Sequence, residues 1–228
     1  MTHRLASIVA GLLVTATAIA LGAQGGPPSP EAIAKQVQAH YQTVQDFTAD
    51  FSHTYEGGVL RKKTTERGNV LIKKPGKMRW TYTAPEQKVF VSDGIKIYAY
   101  VPADRQVTVS KMPAEDSAST PILFLVGKGD LVRDFAIAEA QAAHAGSGGA
   151  FPPDTYALHL TPRTKVPEYE WLTLVVDRGS LKLRMLIARD AQGGTSTFTF
   201  SNLKENVKLS DDKFTFSIPR GADVVTQG

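Results

Sequence analysis

GNVLIKKPGKMRWTYTAPEQKVFVSDGIKIYAYVPADRQVTV, residues 68–109, decides the fold. Apolar and polar residues alternate in short runs, as in Met78, Trp80 and Tyr82, whose side chains share one face at period two. Each run ends at a turn former. Pro75-Gly76 fills the centre of a turn that asks for positive φ at the glycine, and Ala84-Pro85-Glu86, Ser92-Asp93-Gly94 and 102–104 break the chain again. Strands this closely spaced, with no helical pattern between them, form an antiparallel meander over 61–74, 77–83, 88–92, 96–101 and 106–111.

Upstream, Phe47, Ala49 and Phe51 alternate with polar residues and add a strand. Before them, Ile33, Val37, Tyr41 and Val44 recur at helical spacing, with Ser29 as N-cap and Pro30 in the first turn. Downstream, 156–162, 171–177, 183–189, 195–203 and 214–218 read as strands, and "QAAHAGSGGAFPPD" (141–154) reads as a flexible loop. About ten or eleven antiparallel strands with one clear helix is too long a sheet to lie flat. The expected fold is a mostly β, α+β domain: a half-barrel with helical cover across its open side.

Between the two sets of strands lies "STPILFLVGKGDL" (119–131). Pro121 at the first helical position and Gly127 and Gly129 at the end frame a short apolar turn. Its residues fit either a buried core turn or a plug that occupies a cavity, and the local pattern alone favours the former.

The ends and the composition bound the setting. His3 and Arg4 precede an uncharged apolar run to Leu21, followed by small residues, so residues 1–23 read as a cleaved secretory signal peptide and 24–29 as a linker to one domain over 30–228. The absence of cysteine excludes disulfides, thiolate metal sites, thiol nucleophiles and a lipid-modified N-terminal cysteine. A net charge of +4, dispersed along the chain, argues against nucleic acid. The cations around Pro75, including Lys73 and Lys77, are most simply solvated. No HExxH or GxSxG motif occurs, and "GKGDLV" (127–132) lacks the third glycine of a dinucleotide loop. The histidines read as scattered titratable groups, and the pairs Glu115-Asp116 and Asp211-Asp212 as loop charges. No cofactor, metal or catalytic set is expected.

The ordered set "FTADFSHTY" (47–55), residues 68–109, "STPILFLVGKGDL", "LTPR" (160–163), "DAQGGTSTFTFSNLKEN" (190–206) and "FTFSIPRGADVV" (214–225) resembles the LolA family of periplasmic outer-membrane lipoprotein carriers, over almost the whole chain that follows the signal. The resemblance implies an unclosed antiparallel β-barrel whose apolar cavity lies under a helical lid made of the helix at 30–44 and the segment at 120–126. It implies a monomeric, non-enzymatic carrier in the periplasm. Its partners would be acylated lipoproteins, an inner-membrane Lol-type ABC transporter and a LolB-like outer-membrane acceptor. The expected acyl-chain cavity is lined by Phe47, Phe51, Met78, Trp80, Tyr82, Phe90, Ile122, Leu123, Phe124 and Leu125. With that role, the plug becomes the preferred reading of 122–125. The family commonly places Arg where this chain has Lys74, as a latch that holds the lid. Lysine keeps the charge but loses the planar multi-donor fork. Two alternatives are a relative carrying another exported lipid or glycolipid, and a lipoprotein-sensing interaction module, for whose additional domain the chain leaves no room.

Overall fold

The computed structural model describes residues 27–59, 62–112 and 129–227. Residues 1–23, expected from the sequence to be a signal peptide, and the apolar segment with Ile122, Leu123, Phe124 and Leu125 lie outside the described residues.

The described chain forms a single twelve-stranded sheet. In sequence order the elements are α1 (Pro30–Thr43), β1 (Asp46–Glu56), β2 (Lys63–Lys73), β3 (Lys77–Ala84), β4 (Lys88–Asp93), β5 (Lys96–Val101), β6 (Gln106–Lys111), α2 (Leu131–Asp134), β7 (Phe135–Glu139), β8 (Thr155–Pro162), β9 (Trp171–Asp177), β10 (Leu183–Arg189), β11 (Thr195–Glu205) and β12 (Asp223–Thr226). Their order across the sheet is β12-β6-β5-β4-β3-β2-β1-β11-β10-β9-β8-β7, so the ends at β12 and β7 do not pair and the barrel stays open. Neighbours are antiparallel except β12, which lies parallel to β6.

The expected strands appear with two additions and one correction. β7 and β12 are additional. Residues 214–218 are not a strand: a 3-10 turn over Asp211–Phe214 leads into extended chain outside the sheet. Local alternation is present there, but the preceding residues are tied elsewhere. Asn206 and Lys208 adopt positive φ, and the amides of Val207, Lys208 and Leu209 converge on the buried Asp46 carboxylate at 2.7, 3.2 and 2.9 Å. Alternating left-handed residues make such a concave nest of N–H donors. The chain then crosses the outer face as a strap. Arg79 donates to the carbonyls of Lys213 and Thr215 at 2.6 and 2.8 Å, and Phe216 stacks on Tyr98 with ring centroids 5.4 Å apart.

The strap also corrects the reading of Lys73 and Lys77 as solvated cations and of Asp211 as a bare loop charge. Both ammonium groups pair with Asp211, at 2.7 and 2.8 Å, and Lys73 donates to the Leu209 carbonyl. These hydrogen bonds, that from Lys73 foremost, hold the Asp211 carboxyl down to about 2.

The 141–154 segment is a further correction. Two 3-10 turns pack it onto the outer face of β8–β11, with Ala145 fully buried, and Phe151 and Trp171 cover Val175, Met185 and Ile187. Gly-rich composition serves close packing there: Gly146 has φ 63°, and a Cβ on it would lie 2.4 Å from the Thr197 hydroxyl. His144 stacks on His159 at 3.8 Å, with the Trp171 ring edge-on to His144. Burial, then the neighbouring His144, pulls the His159 value below that of free imidazole, and burial does the same to His53. A histidine whose folded value is depressed binds protons more readily unfolded. Its contribution is therefore complete above the ordinary value of about 6.5 and is lost as the pH falls below it. Urea midpoints should decline from pH 7 towards pH 5, and His159→Phe, which keeps a flat ring against His144, should flatten part of that decline. An unchanged slope would remove His159 from the effect.

Candidate functional site

The inner face of the sheet and α1 share one apolar cluster. Ser29 caps α1 through its hydroxyl, which accepts from the Ala32 amide at 3.2 Å, and Ile33, Val37 and Tyr41 turn towards the sheet. Tyr41 is 1% exposed, and its hydroxyl accepts from the Leu183 amide at 2.9 Å, which fastens α1 to the start of β10. Burial drives the Tyr41 phenol far above its ordinary value.

In the same cluster the strands present an aromatic floor. Phe47, Phe51, Met78, Trp80 and Tyr82 are buried in the cluster and Phe90 packs against it half-buried. The structure thus brings together all six of the expected cavity residues that it describes. Phe51 sits at the centre, edge-on to Trp80 at 5.0 Å and to Tyr82 at 4.9 Å, while Phe90 meets Tyr82 at 5.7 Å. Edge-to-face contacts of this kind add roughly 0.5–1.5 kcal/mol each to simple burial.

Sequence reasoning missed two floor residues, Phe198 and Phe200 of β11. Phe198 lies 5.5 Å from Trp80 and Phe200 6.2 Å, both edge-on. They reach the floor because β11 pairs with β1, Phe51 lying opposite Phe200. The alternation of "FTFS" marks one buried face; only the long-range pairing says which residues that face meets.

At the end of the sheet remote from the α1 C-terminus the floor becomes polar. His53 stacks on Phe198 at 4.0 Å with the rings parallel. Its Nδ1 meets Glu66 Oε2 at 3.3 Å, its Nε2 meets Ser196 Oγ at 3.3 Å, and Lys88 pairs with Glu66 Oε1 at 2.5 Å. Lys88 also lies over the Tyr82 ring. Depressed by burial, the imidazole favours its neutral form. The Nδ1–H then donates to Glu66, and Nε2 accepts from Ser196.

Lys74 is at the opposite end. Its ammonium donates to the Tyr41 carbonyl in the last turn of α1. That carbonyl is one of the four a helix leaves without internal partners, and a cation there also complements the helix dipole. The Lys74–Pro75 turn has Gly76 at φ 71°, the positive value expected from the sequence. Partial burial lowers the Lys74 value.

Among the described residues, no group of three or more His, Asp or Glu is placed to hold a metal ion, and no helix is long and apolar enough to cross a membrane. What the arrangement offers is an apolar, largely aromatic floor in one cluster with a helix whose C-terminal end is held by Lys74 on the Tyr41 carbonyl, by the Tyr41 hydroxyl on Leu183 and by His40 on Glu205 at 3.0 Å.

The family model described as outer membrane lipoprotein carrier protein LolA matches residues 42–217. An outer-membrane lipoprotein carrier protein of Chromohalobacter salexigens is 32% identical over 196 residues, covering 86% of this chain and 87% of that protein. Another of the same description, from Cupriavidus pinatubonensis, is 30% identical over 220 residues, covering 95% and 98%. A crystal structure of an uncharacterized conserved protein from Thermus thermophilus superposes with a TM-score of 0.53 at 11% identity, covering 86% of this chain and 98% of that one, and shares the fold. With the sheet, the helix packed on its inner face and these matches together, the chain belongs to the LolA family.

Proposed function

We propose that this protein is a periplasmic carrier that shields the acyl chains of lipoproteins between the inner and outer membranes. The aromatic floor that shares one apolar cluster with α1 is the observation that carries the reading, and the names of its relatives agree with it. Burying acyl chains contributes roughly 0.8 kcal/mol per methylene, so about ten methylenes offset on the order of 8 kcal/mol of exposure. Lipid in a membrane is already out of water, so loading requires an external drive, for which an inner-membrane Lol-type ABC transporter is the proposed source. Release to an outer-membrane acceptor requires a modest grip. A lid that fills its own cavity supplies this, because cargo must displace it. In this reading α1 is the described part of the lid, and Ile122, Leu123, Phe124 and Leu125 complete it. The carrier acts as a monomer after signal-peptide removal and makes or breaks no covalent bond in its cargo.

The outer face supports the division of labour. The strap clads β3–β5 and the 141–154 segment clads β8–β11, so both halves of the sheet are backed from outside. Rearrangement is left to the inner side.

The direct test is to incubate the mature protein with spheroplasts carrying a functional transporter. Newly made lipoproteins should appear in the soluble fraction bound to it; if they stay in the membrane, the carrier reading fails. Lys74 gives a narrower test. Lys74→Ala should speed amide exchange in the last turn of α1 about fivefold, the equivalent of ~1 kcal/mol for a cation at a helix C-terminus. Lys74→Arg, with its fork of donors, should slow it. Equal exchange in all three would leave α1 without a latch at this position.

A further inference from the structure

We propose that the Trp80 indole N–H is the hydrogen-bond donor for a carbonyl oxygen of the acyl cargo, so that the floor recognises an ester or amide linkage as well as an apolar chain. The inference rests on the carrier reading and deepens it. Trp80 is 4% exposed, and its Nε1 has no hydrogen-bond partner among the described residues. Its ring neighbours, Phe51, Phe198 and Phe200, offer nothing stronger than ring faces. A buried donor with no acceptor is costly, and tryptophan in a core ordinarily finds one. Phenylalanine would fill an aromatic floor without this cost.

Position separates Trp80 from the other unpartnered buried groups. Thr173, Thr197 and His159 belong to the outer face of the sheet. Tyr169 is buried in the same apolar cluster, but it comes from the loop between β8 and β9 and makes none of the ring contacts of the floor. Of these groups, Trp80 alone lies on a strand among the floor aromatics. The polar cluster at the end of the floor makes no comparable demand: His53 is engaged at both ring nitrogens, and Glu66 is shared with Lys88. That cluster does mark where the floor turns wet. Trp80 is one ring away from it, through Phe198, which touches both Trp80 and His53. On the other side of Trp80 lie Met78 and Ile72, then Phe47, under α1. A donor between a long apolar track and a polar end matches the junction of an acyl chain with its carbonyl.

The test pairs two ligands of equal chain length, dioctanoylglycerol and its dioctyl ether counterpart, by displacement of an environment-sensitive apolar dye from the mature protein. One ordinary hydrogen bond corresponds to a preference of about tenfold for the ester. Trp80→Phe should abolish that preference, the ratio of ester to ether affinity being the readout, whatever the change does to the affinity that both ligands share. In wild-type protein, the Trp80 indole N–H resonance, assigned against Trp171→Phe, should move downfield with the ester and stay with the ether. This readout does not depend on the Trp80 variant folding. Equal affinity for the two ligands, a preference that survives Trp80→Phe, or an indole resonance that ignores the ester would each overturn the assignment and leave the carrier reading standing. Failure of both ligands to bind wild type would overturn both.

Discussion

Asp46→Ala should lower the unfolding free energy by about 4 kcal/mol, the largest stability loss expected of any polar substitution described for this chain. The carboxylate is 4% exposed and accepts three backbone amides of the strap. Each hydrogen bond to a charged group is worth roughly 1.5–3 kcal/mol. The full sum is not expected, because Val207 and Lys208 are exposed and water can satisfy part of what alanine abandons. For a domain of this size the midpoint temperature should fall by roughly 8–16 °C. Asp46→Asn keeps one accepting oxygen and should cost about half as much. Urea unfolding of the three proteins decides it. A loss under about 1 kcal/mol for alanine would mean that the strap holds without its nest.

Gly68→Ala should be nearly as damaging, at about 3 kcal/mol, although it adds a single methyl group. A Cβ at Gly68 would stand 2.0 Å from the Thr81 carbonyl oxygen and 2.9 Å from the tip of the Phe51 ring. Backbone cannot yield at such a distance without breaking the pairing of β2 with β3, where the register already shifts between Arg67 and Gly68. The Phe51 ring would be pushed into Trp80 and Tyr82, so loss of acyl-chain binding should accompany loss of stability. Gly148→Ala is the control: a Cβ there would have nothing within 4 Å of it. Its stability should stay within about 0.5 kcal/mol of wild type. A mild Gly68→Ala would mean that β2 and β3 part easily at this point.

The residues that sequence places well are those whose partners are close in the chain. Met78, Trp80 and Tyr82 share a face by alternation, and Phe90 follows across the β3–β4 hairpin. The Ser29 cap and the start of α1 are local too. Phe198 and Phe200 are legible as one face of a strand, but not as floor, because that depends on β11 closing against β1. Asp46 and Arg79 carry no signal at all: their partners are backbone amides and carbonyls more than 130 residues away, which no side-chain pattern announces. Residues 214–218 and 141–154 mislead for related reasons. Alternation at 214–218 reports burial of Phe214 and stacking of Phe216 rather than ladder pairing. Small residues at 141–154 allow close approach to the sheet rather than freedom from it. Gly68 is visible as an isolated glycine inside a strand, a mark of close backbone approach.

The pairing of β1 with β11 also sets an order of events during biosynthesis. His53 and Ser196 touch across 143 residues of chain. A chain that emerges from its N-terminus completes β1 early and finds β2 at once, but the other edge of β1 stays uncovered until nearly the whole polypeptide is out. Long-range closure of this kind slows folding, and an open edge invites pairing with neighbouring chains. Asp50 and His53, polar residues set into a strand that also carries Phe47 and Phe51, interrupt what would otherwise be a sticky ribbon during that wait. The same strand that later carries part of the aromatic floor must first survive as an orphan edge, and its mixed composition serves both stages.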